Sequence, residues 1–153
     1  NLNDDDWLWG GDLQSIYKTL KVGIRSSHED TRTMQMPAFA GILKKEDIGN
    51  VADHVLSLSS GKGENAAGAA VFKQNCSSCH GEQGKGNRTM GAPNLADAIW
   101  LYGGTKGDIT SQIVNPRHGV MPTWESRLPD ETLKQLSIYV HSLGGGEAAT
   151  PKK

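Results

Sequence analysis

An all-α fold carrying an internal tandem duplication is predicted from three observations: helical patterning in several segments, no alternating strand of useful length, and two blocks of sequence that recur at a nearly constant offset. In chain order the helices are expected at Leu13 to Val22, Lys45 to Leu58, Asn65 to Gln74, Leu95 to Tyr102, Lys106 to Asn115 and Pro129 to Leu143. The third is Ala-rich and carries Gly68 and Phe72 on one side. The last aligns Leu133, Leu136, Tyr139 and Val140 along one face and opens with Asp130 and Glu131, whose charges suit a helix N-terminus. Close approach of the first and last helices of one copy is expected at Gly68, beneath Tyr139. Gly61-Lys62-Gly63 marks the boundary between copies, and the chain from Gly144 reads as a frayed tail.

The repeat defines the domain organisation. Asn1 to Gly11 matches Asn94 to Gly104 at an offset of 93, with 7 of 11 positions identical; Met36 to Leu58 matches Met121 to Leu143 at an offset of 85, with 7 of 23 identical. The eight-residue difference lies between the blocks, as a longer loop in the first copy around Ile24 to Thr31. The expected division is therefore residues 1–60 as the C-terminal part of a first domain, 61–146 as a complete second domain, and 147–153 as a disordered tail.

Composition limits the function classes. At 153 residues the chain holds one ordinary domain or two very small ones, and with 36% hydrophobic residues, 6% aromatics and 19 glycines a core made of side chains alone would be lean. Sixteen basic against seventeen acidic residues argue against nucleic acid or a polybasic membrane-surface role. The split at Ser60, 6 basic and 9 acidic before it and 10 and 8 after, is too mild to name a partner. No apolar run approaches the ~20 residues needed to span a bilayer, and no signal-peptide core opens the sequence, so the chain reads as soluble.

Chemistry enters at Cys76-Ser77-Ser78-Cys79-His80. Two thiols separated by two residues, followed at once by histidine, form the haem c attachment signature: each sulfur adds across one vinyl group, and the histidine reaches the iron. A disulfide here would close too small a loop to stabilise much. A thioredoxin-like pair needs a strand feeding the motif, and the preceding residues read as helix. A structural zinc site needs a second pair of ligands. A buried porphyrin also supplies the apolar mass that the composition lacks.

The sixth ligand is expected to be Met121, in Gly119-Val120-Met121-Pro122, where Pro122 stiffens the chain and Gly119 permits close approach. A neutral thioether raises the potential relative to bis-histidine ligation, as suits an electron carrier. His118 is the rival, and a core role is the ordinary fate of a lone methionine. Projecting the repeat backwards places a first attachment motif about seventeen residues before Asn1, with Met36 as the ligand of that first haem.

The stretches Asn1 to Gly11, Met36 to Phe39, Asn75 to Gly81, Gly84 to Asn87, Gly91 to Leu95, Ile99 to Gly104, Gly119 to Trp124 and Tyr139 to Gly145 together resemble the diheme cytochrome c subunit (subunit III, the FixP/CcoP family) of cbb3-type cytochrome c oxidases. The resemblance implies a class I cytochrome c fold duplicated in tandem, with an incomplete first copy. It implies haem c bound through Cys76 and Cys79, with a second haem in the complete protein. It further implies that the Pro93 carbonyl accepts from the His80 ring and that Trp100, Tyr102 and Trp124 line the haem or its propionates; plain core packing is the alternative for each aromatic. The implied work is electron transfer from upstream cytochromes to the other oxidase subunits at the periplasmic face of the inner membrane, with no catalysis by this chain. Membrane association is expected only through a missing segment or partner subunits. A stand-alone periplasmic diheme carrier, a dehydrogenase's cytochrome subunit and, more distantly, a haem peroxidase are the alternatives.

Overall fold

A computed structural model describes residues 1–149. Its regular structure is helical: α1 Leu13–Val22, α2 Lys45–Ser60, α3 Ala66–Asn75, α4 Ser77–His80, α5 Lys106–Val114 and α6 Asp130–Ser142. Among the described residues the only β pairing is isolated bridges such as Ile24 with Met121. None of these helices is long and apolar enough to cross a membrane.

The helix boundaries follow from local chemistry. Asp12 caps α1 by accepting from the amides of Gln14 and Ser15, both at 3.1 Å. Glu46 and Asp47 place negative charge in the first turn of α2, which stops at Gly61 in the left-handed conformation. Asn65 caps α3 through the Gly68 amide at 2.8 Å. A reciprocal box between Thr105 and Asp108 opens α5, and Pro129 precedes α6. The helix expected over Leu95 to Tyr102 does not form. Asn94 and Asp97 each accept, through their side chains, from the amide two residues on, Ala96 and Ile99 at 2.9 Å, and these Asx turns capture the donors a helix would need.

The helices assemble into two compact units that cut across the sequence division. One comprises Gln35–Arg117; the other combines Asn1–Met34 with the described chain over 118–149. In the first, α2 packs on α3 and on α5 around Phe39, Ile48, Val51, Ala52, Val55, Phe72, Ile109 and Ile113. Phe72 and Val51 are almost wholly buried. In the second, α1 packs on α6, with Ile16, Val22 and Leu133 buried, the Trp7 indole donating to the Gly145 carbonyl at 2.6 Å and the Tyr17 hydroxyl donating to Asp130. The tail expected from residue 147 is tied down at its start, since the Glu147 amide donates to the Gly11 carbonyl at 3.0 Å. Residues 150–153 lie outside the described residues.

Each unit therefore joins the first block of one copy to the second block of the other, and the contacts recur at the repeat offsets. The Phe39 amide donates to the Ile113 carbonyl at 3.0 Å in one unit, and the Trp124 amide to the Leu20 carbonyl at 3.2 Å in the other. The expected approach at Gly68 also changes partner. Its open side faces the Asn50 carbonyl and His54 of α2, not Tyr139 of α6. Chain connectivity gives a reason. Five residues, 61–65, join α2 to α3, whereas 54 residues, 76–129, separate α3 from α6. Closing the longer connection costs about 2 kcal/mol more in loop entropy. With two chemically equivalent helices competing for one seat, that difference favours the near one.

Candidate functional site

The attachment motif lies where α3 turns into α4. Cys76 ends the first helix, its amide bonded to the Phe72 carbonyl at 2.8 Å, and opens the second, its carbonyl accepting from Cys79 at 3.2 Å and His80 at 3.0 Å. One helical turn thus carries both sulfurs and the imidazole. Neither cysteine is in a disulfide. Burial, reinforced by the neighbouring Cys79, pushes the Cys76 thiol up to about 11, the reverse of the depressed value a thiol-exchange pair requires. No group of three or more His, Cys, Asp or Glu side chains able to hold a metal ion occurs among the described residues. Zinc and dithiol chemistry both fit the motif poorly.

His80 is 9% exposed, and its Nδ1 lies 3.0 Å from the Pro93 carbonyl. A carbonyl only accepts, so Nδ1 carries the proton and Nε2 keeps its lone pair. Burial pushes the imidazole's pKa down, partly opposed by the Pro93 bond, which keeps the ring neutral as an iron ligand must be. The loop that delivers Pro93 depends on Gly86, at φ 81°, where a Cβ would lie 2.7 Å from the Ala92 carbonyl oxygen and 2.8 Å from the Pro93 carbonyl carbon. The Gly86 amide donates to the His80 carbonyl at 2.8 Å, and the Leu95 amide to Gly84 at 2.6 Å. The glycines therefore press the Pro93 segment against the histidine. Two free thiols and an oriented neutral imidazole on one turn fit haem c.

The other expected site residues divide between the units. Met36, half-buried, packs against the core of the Gln35–Arg117 unit, as do Cys76, Leu95 and Trp100. Met121, expected opposite His80, belongs to the other unit, where its amide and carbonyl both pair with Ile24 at 2.9 Å. Met121 and His80 thus fall in different compact units, following the exchange of equivalent blocks described above. Trp124 goes with Met121, under the Arg127 guanidinium at 5.4 Å, and so does the rival His118. Tyr102 stays in the unit of His80, with the Arg117 guanidinium 4.7 Å above its ring and bonded at 2.9 Å to its carbonyl.

Arg117 was not singled out from sequence, nor was Arg32, which stacks at 4.8 Å on Trp9. The signal was available: the offset of 85 that pairs Met36 with Met121 also pairs Arg32 with Arg117, and the offset of 93 pairs Trp9 with Tyr102. An arginine stacked on an aromatic is thus built twice.

The family model for cytochrome c oxidase, cbb3-type, subunit III matches residues 63–140. The chain belongs to this family. It is 54% identical over 151 residues to the cbb3-type cytochrome c oxidase subunit FixP of Azorhizobium caulinodans, an alignment covering 96% of this chain and 52% of that protein. It is 48% identical over 154 residues to subunit CcoP of Cereibacter sphaeroides, covering 96% and 53%. The chain spans about half the length of the curated relatives it matches. The matched stretch of this subunit III chain contains Cys76, Cys79, His80 and Met121. A linear match follows chain order and is silent on which block pairs with which in space.

Proposed function

We propose that this chain is an electron carrier of a cbb3-type oxidase, holding haem c through thioether bonds from Cys76 and Cys79 and through His80 Nε2. The observation that carries the reading is the oriented neutral imidazole, with Nδ1 on the Pro93 carbonyl at 3.0 Å, one residue after a pair of free thiols. Haem c supplies a one-electron iron couple when bound. The Pro93 contact fixes the ring's tautomer and orientation.

Met36 is the sixth ligand in this reading, in place of Met121. Its support is that Met36 lies in the compact unit of His80 and packs on the core that Cys76 also adjoins. Met121 then serves the equivalent position for a second haem, belonging to a first copy. With imidazole and thioether on the iron no position is open for substrate, so the chain transfers electrons and the oxidase's catalytic subunit reduces dioxygen. Relatives named as subunits of this oxidase support partners among its other subunits; the same reading takes upstream cytochromes as electron donors and the periplasmic face of the inner membrane as the place of work. The test is a pyridine haemochrome count and a redox titration of the purified complex. One haem c should be assigned to the peptide containing Cys76 and Cys79, titrating as a single-electron centre and co-purifying with haem b and copper. A haem-free peptide would overturn the proposal.

A further inference from the structure

Helix α6 stops at Ser142, the repeat counterpart of Ser57, whereas α2 runs on to Ser60. In the second copy Gly144 and Gly145 stand where Ser59 and Ser60 continue α2, and the chain leaves the helix to lie against the segment that precedes α1. The approach needs glycine, since a Cβ on Gly145 would collide with the Asp4 carbonyl. The Trp7 indole donates to the Gly145 carbonyl at 2.6 Å. Gly11 donates its amide to Glu147 Oε2 at 2.8 Å and accepts from the Glu147 amide at 3.0 Å. From the side of α6, His141 Nε2 donates to the Glu147 carbonyl at 2.8 Å. The Trp-Gly turn itself is built twice, because Gly104 seats the Trp100 indole as Gly11 seats that of Trp7. The bonds from residues 145 and 147 have no counterpart at Ser59 and Ser60, whose hydroxyls turn back onto the Leu56 carbonyl within α2.

Beyond Gly11 the contacts continue inside the same unit. Trp9 carries the Arg32 guanidinium at 4.8 Å. Arg32 Nε donates to Thr19 Oγ1 at 3.2 Å, and the Arg32 carbonyl accepts from the Arg25 amide at 2.8 Å. The neighbouring Ile24 pairs its amide and carbonyl with Met121, both at 2.9 Å. We infer that residues 144–147 are a clasp and that Glu147 is a positioning residue for Met121. By fixing the turn over residues 7–11 the clasp sets Trp9 against Arg32, and Arg32 holds the Ile24-Arg25 backbone on which Met121 is paired. The bearing on electron transfer rests on the role proposed above for Met121; the clasp itself does not.

Hydrogen exchange on the haem-loaded protein, read at single amides, tests the clasp. Glu147→Ala should raise exchange at Gly11, Ile24, Arg25 and Met121 by about tenfold, leaving Leu20 in α1 and Ser137 in α6 unchanged. Glu147→Gln, whose side-chain oxygen still accepts from the Gly11 amide, should restore the original rates. Trp9→Leu breaks the path beyond the clasp. It should raise exchange at Ile24 and Met121 while Gly11 stays protected, and it decides the matter even if Glu147→Ala misfolds. The inference is overturned if Glu147→Ala loosens Gly11 alone, if Leu20 and Ser137 speed up by the same factor, if Glu147→Gln behaves as Glu147→Ala does, or if Trp9→Leu leaves Met121 as protected as before. A Met121 sulfur that binds no iron would instead defeat the ligand reading and leave this exchange pattern in place.

Discussion

The amide of Phe39, in the second block of the first copy, donates at 3.0 Å to the carbonyl of Ile113 in α5, the helix that follows the first block of the second copy. Its counterpart, Trp124 to Leu20 at 3.2 Å, joins the second block of the second copy to α1, the helix that follows the first block of the first. These paired bonds show that a short sequence repeat has been folded by exchange, with equivalent helices occupying equivalent seats in both units.

The α2–α3 crossing should tolerate no side chain at Gly68. A methyl group there meets a helix backbone carbonyl at 2.1 Å, so Gly68→Ala is expected to destabilise by about 1–3 kcal/mol. Gly49, in the interior of α2 with nothing within 4 Å of a Cβ, provides the opposite case. Gly49→Ala should stabilise by about 0.5–1 kcal/mol. Denaturant titration of the holoprotein measures both, and equal effects at the two positions would contradict the packing described.

His54 should make the same crossing sensitive to mild acid. Its Nδ1 is buried without a hydrogen-bond partner, and burial lowers its pKa against the weaker opposing charge of Glu64. An unfolded imidazole titrates near ~6.5. With the folded value lower, the stability that neutral His54 contributes is fully present above the unfolded pKa and is lost as pH falls through the folded one. Chemical denaturation between pH 7.5 and 5 is expected to show this decline, and His54→Phe should flatten it. An unaltered slope in the variant would assign the decline to another group.

Arg25 fastens the two segments at which the blocks exchange. Its Nε donates to the Gly119 carbonyl at 2.7 Å and its Nη1 to the Met34 carbonyl at 3.0 Å. The residue has a φ of 51°, the one positive value among the described non-glycine residues. Arg25→Ala loses both bonds at a cost of about 1 kcal/mol. Limited proteolysis should then cut faster around Met34 and Gly119 while α2 and α3 remain intact. Unchanged cleavage would show that the arginine holds neither segment.

Most helices were legible because their signals are local. Leu13–Val22 begins at Asp12 and ends at Gly23, and the Pro129-Asp130-Glu131 start of α6 needs no tertiary information. The attachment turn was equally legible, since its chemistry fixes residue type and spacing together. Leu95 to Tyr102 misled because its apolar residues suit a helix while Asn94 and Asp97 divert the amides. Partner choice was not legible. Phe39 and Trp124, or Val51 and Leu136, suit either seat, so similarity alone cannot say which copy fills which. The eight-residue loop that supplies Arg25 was visible as a length difference, but its bonds to both exchange segments are a tertiary fact.

The most direct test is to compare Met36→Ala with Met121→Ala in the haem-loaded chain, reading the ferric long-wavelength methionine-to-iron band and the midpoint potential of the haem on Cys76 and Cys79. Met36→Ala should abolish the band and lower the potential by on the order of 0.1 V, within the ~0.8 V range that axial ligands span; Met121→Ala should leave both unchanged. Loss of the band in Met121→Ala with its retention in Met36→Ala would contradict the crossed assignment.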